Sequence, residues 1–219
     1  MTTRRRRDEY TPPPTRRQQI VSAGLAVFSS SGFHGGSLRD VAERVGMSQA
    51  GLLHHFPSKK HLLQAVLTWR DDEARRQLGE PFPDGLDLIR RLVARPVTPP
   101  ARELVQLHVK VSAEGVSVDH PIHGYVFERH ASAIRTVSQA FERAVADGEL
   151  RNDVDCAAAA RTLIALMDGL QVQWLLHPDE ADIEGDLRRC LESLLAADLQ
   201  APARRALAAP RHGRKPTER

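Results

Sequence analysis

Cysteine is nearly absent. Cys156 and Cys190 are the two in 219 residues, too few for a disulfide framework, so a reduced cytoplasmic chain is the expectation. Aromatic residues make up only 5% of the chain, which favours a helical protein over an aromatic-rich β-sandwich. No run of about 18 apolar residues occurs, so no membrane-spanning helix is expected. The start, Met1-Thr2-Thr3 followed by Arg4 to Arg7, has no apolar stretch behind it, and no secretory signal is expected there. No segment alternates with period two and no internal repeat is present, so the fold class is all-α. The patterns G-x-S-x-G, G-x-G-x-x-G, P-loop and H-E-x-x-H are also missing, and the carboxylates scatter over helix faces as solvated charges do. An enzyme is not expected. His120, His123, His130 and Cys156 fit no zinc-ligand spacing, and the adjacent His54 and His55 diverge by about 100° on a helix. No metal and no cofactor is expected.

The formal net charge is a modest +3, but it is unevenly laid out. Residues 1–60 hold ten Lys and Arg against four Asp and Glu, or +6. Residues 61–198 hold 15 against 23, or −8, and residues 199–219 hold six against one, or +5. A basic end beside an acidic middle fits a chain of which one part meets a polyanion, although a soluble chain with basic tails has the same arithmetic.

Local signals divide the chain. Residues 1–14, with the Arg4–Arg7 block and Pro12-Pro13-Pro14, read as a disordered basic arm. Thr15 and Gln18 have the spacing of a capping box, and Ile20, Ala23, Val27 and Phe28 follow with helical spacing up to Gly32. Ser37 opens a second helix that stops at Gly46, Ser48 a third broken by Pro57, and Ser58 a fourth carrying Leu62, Leu63, Val66, Leu67 and Trp69. Further helices are expected over Leu86–Leu92, after Pro99-Pro100, along Val126 to Val145 with His130 on the buried side, over Cys156–Leu176, and over Ile183–Ala197. The total is about nine. Residues 199–219 read as a disordered basic tail.

The stretch SLRDVAERVGMSQAGLLHHF, residues 37–56, joins two short helices through a turn at Gly46. Ala42 is small enough for a close crossing, and Gly46 can take the positive φ of such a turn. Val41, Val45, Met47 and Leu52 can hold the pair to the first helix, leaving the second free to enter a major groove. A helical hairpin within a core has the same spacing.

Residues 15–67, and above all SQAGLLHHFPSK at 48–59, resemble the DNA-binding domain of TetR-family transcriptional regulators. The resemblance implies a three-helix, helix-turn-helix domain over residues 15–61 and a helical ligand-binding and dimerisation domain over 62–198. It implies that the third helix reads DNA and that the start of the fourth holds phosphate. The candidate DNA-binding residues are then Ser37, Arg39, Ser48, Gln49, Ala50, Gly51, Leu53, His54, His55 and Lys59. Gln49 has the chemistry of a base reader, since its amide can pair with adenine N6 and N7. Ala50 and Gly51 permit close approach, and Lys59 sits where helix amides also favour phosphate. Leu53 stands where the family most often has Tyr. The arm at Arg4–Arg7 can track phosphates or enter the minor groove.

In the second half, the last two helices are expected to pair two subunits, placing two reading helices one DNA turn, about 34 Å, apart on a palindromic operator. Phe127, His130, Met167, Gln171 and Trp174 are candidates for the pocket of an unknown small-molecule effector. The function expected from the resemblance is a homodimeric repressor released by such a molecule. The alternatives are an activator, or a helical interaction or metal- or redox-sensing protein without small-molecule induction.

Overall fold

The computed structural model describes residues 14–94 and 102–199, and every regular element among them is a helix. In chain order these are α1 (Arg16–Gly35), α2 (Leu38–Val45), α3 (Gln49–His55), α4 (Lys59–Leu78), α5 (Gly85–Val93), α6 (Arg102–Gly115), α7 (His123–Ala146), α8 (Cys156–Leu176) and α9 (Ile183–Leu199). The expected disordered arm and tail lie outside the described residues, apart from Pro14 at one end and Leu199 at the other.

Short polar side chains start the helices. Thr15 Oγ1 accepts from the Gln18 amide at 3.3 Å and Gln18 Oε1 accepts from the Thr15 amide at 2.7 Å, closing the expected capping box. Ser37 and Asp40 close a second box at the start of α2. Ser48, Ser58, Asp84 and Asp155 cap α3, α4, α5 and α8. Each satisfies an amide that the first helical turn leaves without a partner.

The end of α1 differs from the sequence expectation for a non-local reason. Gly32 does break α1, with φ of 71°, but the helix resumes for another turn to Gly35. The amides of Phe33 and His34 donate to the Glu114 carboxylate of α6, 2.8 and 3.4 Å away. A capping group 80 residues distant leaves no local trace, so a glycine stop was the natural reading.

Two hydrophobic cores form. The first holds α1 to α4 together around Ile20, Phe28, Val41, Leu52, Phe56, Leu62, Leu63 and Val66, each at most 1% exposed, and it also takes in Leu107 and Val111 from α6. The second joins α5, α7, α8 and α9 around Leu86, Ile89, Val137, Phe141, Leu163, Leu170 and Leu187, with Val105 of α6. Trp69 was expected in the apolar stripe of α4, yet it is exposed, because the stripe that the first core covers ends at Leu67. His130 was expected on the buried side of α7 and is also exposed. The buried stripe of that helix is Val137, Ala140, Phe141 and Ala144, where α7 packs on α5 and α8.

Gly46, the C-cap of α2, has φ of 70° and ψ of 47° and donates its amide to the Ala42 and Glu43 carbonyls. A Cβ placed there would meet nothing within 4 Å, so backbone conformation alone demands glycine. Gly46→Ala is therefore expected to lower unfolding stability by about 1–2 kcal/mol, and Gly46→Asn by less, since Asn tolerates this conformation better. Urea unfolding measures both. Equal stability of the Ala variant and wild type would contradict the assignment.

Candidate nucleic-acid interface

The α2–turn–α3 unit is fixed from behind. Leu52 is fully buried, Ala42 is 2% exposed, and the Met47 amide reaches back 3.0 Å to the Ala42 carbonyl. Two arginines in the first turn of α1 fasten the unit further. Arg16 donates to the Gly46 carbonyl at 3.4 Å, and Arg17 donates to the His55 carbonyl at 3.3 Å with its guanidinium 4.3 Å over the Phe56 ring. Neither arginine was among the sequence candidates. The signal available was a basic pair directly behind a helix cap, which reads as solvated charge until the fold brings α3 beside it.

With Leu52 turned inward, α3 turns Gln49, Ala50, Leu53, His54 and His55 to solvent. Gly51 is half-buried, and a Cβ there would lie 3.2 Å from the Met47 methyl and 3.3 Å from Ser48 Oγ. That is tight, so glycine lets the start of α3 sit close to its turn. Ser48 is exposed, but its Oγ accepts from the Gly51 amide at 3.1 Å. Ser37 is half-buried, with Oγ capping Asp40.

The two cations among the sequence candidates are both engaged within the chain. Arg39 Nε bonds Glu43 Oε1 at 2.8 Å on an open surface, and that hydrogen bond raises its pKa. Exposed pairs of this kind are worth little, so the guanidinium is readily exchanged to another partner. Lys59 lies differently. Its Nζ donates to the His34 carbonyl at 3.2 Å and sits 4.7 Å over the Phe33 ring. Burial lowers its pKa, against the opposing pull of Glu114 and Asp40. Lys59 thus ties the start of α4 to the end of α1 while staying partly open to solvent.

The pocket candidates divide as well. Phe127 is 60% exposed on α7 and its neighbour His130 is exposed too. Met167 packs on the second core, and Trp174 is buried in it with the Arg102 guanidinium 5.5 Å from its ring. Gln171 stands apart, because its Oε1 is buried without a hydrogen-bond partner among the described residues. An unmet buried acceptor is costly and marks a place where a donor from elsewhere would be welcome.

One turn before Gln171 begins a polar layer that the candidate list did not contain. Asp168 Oδ1 is 2.8 Å from His108 Nε2. His108 Nδ1 faces Ser112 Oγ at 3.4 Å and Arg129 Nη1 at 3.5 Å. Arg129 in turn grips Asp71 of α4 through two nitrogens, Nε at 2.9 Å and Nη2 at 2.8 Å. The layer lies between the two cores and links α4, α6, α7 and α8. With Arg129 presenting N–H groups to Nδ1, the neutral ring that donates from Nε2 to Asp168 is the consistent tautomer.

Comparisons with known proteins point one way. A family described as "Bacterial regulatory proteins, tetR family" matches residues 20–66. A second, described as "BetI-type transcriptional repressor, C-terminal", matches residues 96–200. The chain is 29% identical over 186 residues to the HTH-type transcriptional regulator UidR of Escherichia coli, covering 84% of this chain and 88% of that one. It is 27% identical over 199 residues to the HTH-type transcriptional regulator TtgR of Pseudomonas putida, covering 85% and 93%. The crystal structure of a TetR-family regulator from Rhodococcus sp. superposes with a TM-score of 0.71 at 25% identity, covering 82% of this chain and 98% of that one.

His108 gives the polar layer a pH signature. Burial lowers its pKa below the ordinary 6.5, with the adjacent Arg70 and Arg129 charges in the same direction and the Asp168 bond opposing. Below pH 6.5 the unfolded chain gains a proton that the native ring resists, so native stability falls as the pH drops below that value. The loss stops growing once the pH is below the native pKa. The urea midpoint is expected to fall between pH 7.5 and 5.5. It should fall less in His108→Gln, with the remaining slope supplied in part by His120, whose pKa burial also lowers. An unchanged slope in the variant would count against a neutral His108.

Proposed function

The chain belongs to the TetR family of bacterial regulatory proteins and is a DNA-binding transcriptional regulator, not an enzyme, and we propose that it is a cytoplasmic, homodimeric repressor released from a palindromic operator by a small molecule. The observation that carries the DNA-reading half of this proposal is the outward face of α3. Leu52 anchors the helix while Gln49, Ala50, Leu53, His54 and His55 stand exposed. Gln49 reads a base edge, Ala50 and Gly51 allow the helix to sit deep in the groove, and His54 and His55 meet backbone or base edges. Ser37 and Ser48 keep their caps and add phosphate contacts through remaining lone pairs and donors. Arg39 reaches phosphate by leaving Glu43. Lys59 contributes by holding the end of α1 on the start of α4, and its charge reaches phosphate only at longer range.

In this reading, α8 and α9 form the subunit interface, as an isologous four-helix arrangement in which exposed apolar groups such as Val172 and Leu176 are covered by the partner. The effector site is the polar layer, with Gln171 as a direct contact and Met167 and Trp174 as its apolar wall. Phe127 and His130 lie on the open side of α7 and take part only if the effector extends there. Release then requires that the effector bind better to the state in which the two α3 helices no longer match the groove spacing.

Selection of random duplexes on the wild-type protein, followed by affinity measurement, tests the reading. A palindrome with half-sites one helical turn apart is expected. Gln49→Ala should cost about 1–3 kcal/mol at a single position of each half-site and make the protein indifferent to the base there. Recovery of no palindrome, or an unaltered base preference in the variant, overturns the assignment.

A further inference from the structure

The interior of α1 is broken at Gly32, and both broken ends are held by α6. In a continuous helix the His34 amide would donate to the carbonyl of Ser30, four residues earlier. Here the two groups turn to different partners. The Ser30 carbonyl accepts from Lys110 Nζ, and the His34 amide, with that of Phe33, donates to Glu114. Lys110 and Glu114 are one turn apart on α6, so one face of that helix supplies a cation to the free carbonyl and an anion to the free amides. Each charge has the sign that a helix end favours.

The short segment after the break is gripped from other sides as well. Lys59, the first residue of α4, donates to the His34 carbonyl and covers the Phe33 ring. The buried His120 ring stands edge-on to His34 at 4.6 Å and to Phe33 at 5.3 Å. A Cβ at Gly32 would collide with the Glu114 carboxylate, so glycine allows both the positive φ and the close approach. The residues involved come from α1 and α4 on the DNA-reading side, and from α6 and the turn that follows it on the other.

We propose that Lys110 and Glu114 are positioning residues for operator binding: by capping both broken ends of α1 they set the angle at which the α1–α4 head sits on the rest of the subunit. The inference rests on the dimeric reading above, because the angle matters only when two heads must meet two half-sites together. A head at the wrong angle binds one half-site as well as before and loses the gain from engaging the second.

The test compares wild type with Glu114→Ala, Glu114→Gln and Lys110→Met on the selected palindrome and on a duplex carrying one half-site. Glu114→Ala and Lys110→Met are expected to weaken palindrome binding by about tenfold, through lost effective concentration, with half-site binding within about twofold of wild type. Glu114→Gln keeps one acceptor oxygen and should fall between. In parallel, nitroxides placed in one subunit by Lys60→Cys and Gln139→Cys, with Cys156 and Cys190 changed to Ser and unlabelled subunits in excess, report the head-to-body distance. Wild type should give a narrow distribution and Glu114→Ala a broadened or displaced one. Equal losses on both duplexes would mean that the pair only maintains the fold of the head. Unchanged palindrome binding with an unchanged distance distribution would mean that it does not set the angle. The label distances need neither DNA nor a dimer, so they decide the matter even where no palindrome is recovered, a result that would count against the dimeric reading instead.

Discussion

One helix has to serve two hydrophobic cores. Leu107 and Val111 of α6 are buried with the helices of the DNA-reading head, while Val105, two residues from Leu107, is buried with the body. The two interiors take different faces of this 14-residue helix, with Leu104 also packing on the head side and Val109 on the body side, and the seam between those faces carries His108. The imidazole is 12% exposed, stays neutral, and finds its partners in Asp168 and the Arg129 side. A permanently charged residue here would carry a desolvation cost that a single carboxylate 40% exposed to solvent offsets poorly. Much else follows from that division. The seam supplies the polar groups of the proposed effector layer, and the part of α6 beyond it reaches the break in α1.

The same division separates duties between side chains of similar type. Arg16 and Arg17 look like solvated charges and act as fasteners of the α2–α3 unit. Lys59 looks like a phosphate ligand and holds two helices of the head together. Asp168, on a helix otherwise rich in Leu and Ala, fixes a histidine on another helix. In each case the residue type is right for a polar partner, but the partner is supplied by the chain itself.

The legible and illegible parts of this protein differ in sequence range. Helix starts were readable because Thr15, Ser37, Ser48 and Ser58 act on amides three residues away. The turn at Gly46 was readable because one residue carries the left-handed conformation. The all-helical class and the helix-turn-helix unit rest on the same local signals, together with the resemblance at residues 48–59. The extension of α1 to Gly35, the exposure of Trp69 and His130, and the bond from Lys59 to the end of α1 depend on what lies opposite in space. The layer of His108, Arg129, Asp71 and Asp168 joins four helices, with sequence separations between bonded partners of 21 to 60 residues. Charge and periodicity along one helix carry no record of such partners.

Because Arg39 is already paired with Glu43 and Lys59 with the His34 carbonyl, contact with phosphate is an exchange of partners rather than a gain of new ones. Sequence-independent attraction to DNA comes mainly from neutralised phosphates and the counterions they release. In the proposed reading these two side chains add less to that attraction than free cations would, wherever on a chromosome the head lands, and more of the grip falls to the fit of α3 to particular base edges, which most sites do not offer. What this arrangement favours is the ratio between the right site and the great excess of wrong ones, the quantity that governs occupancy in a genome.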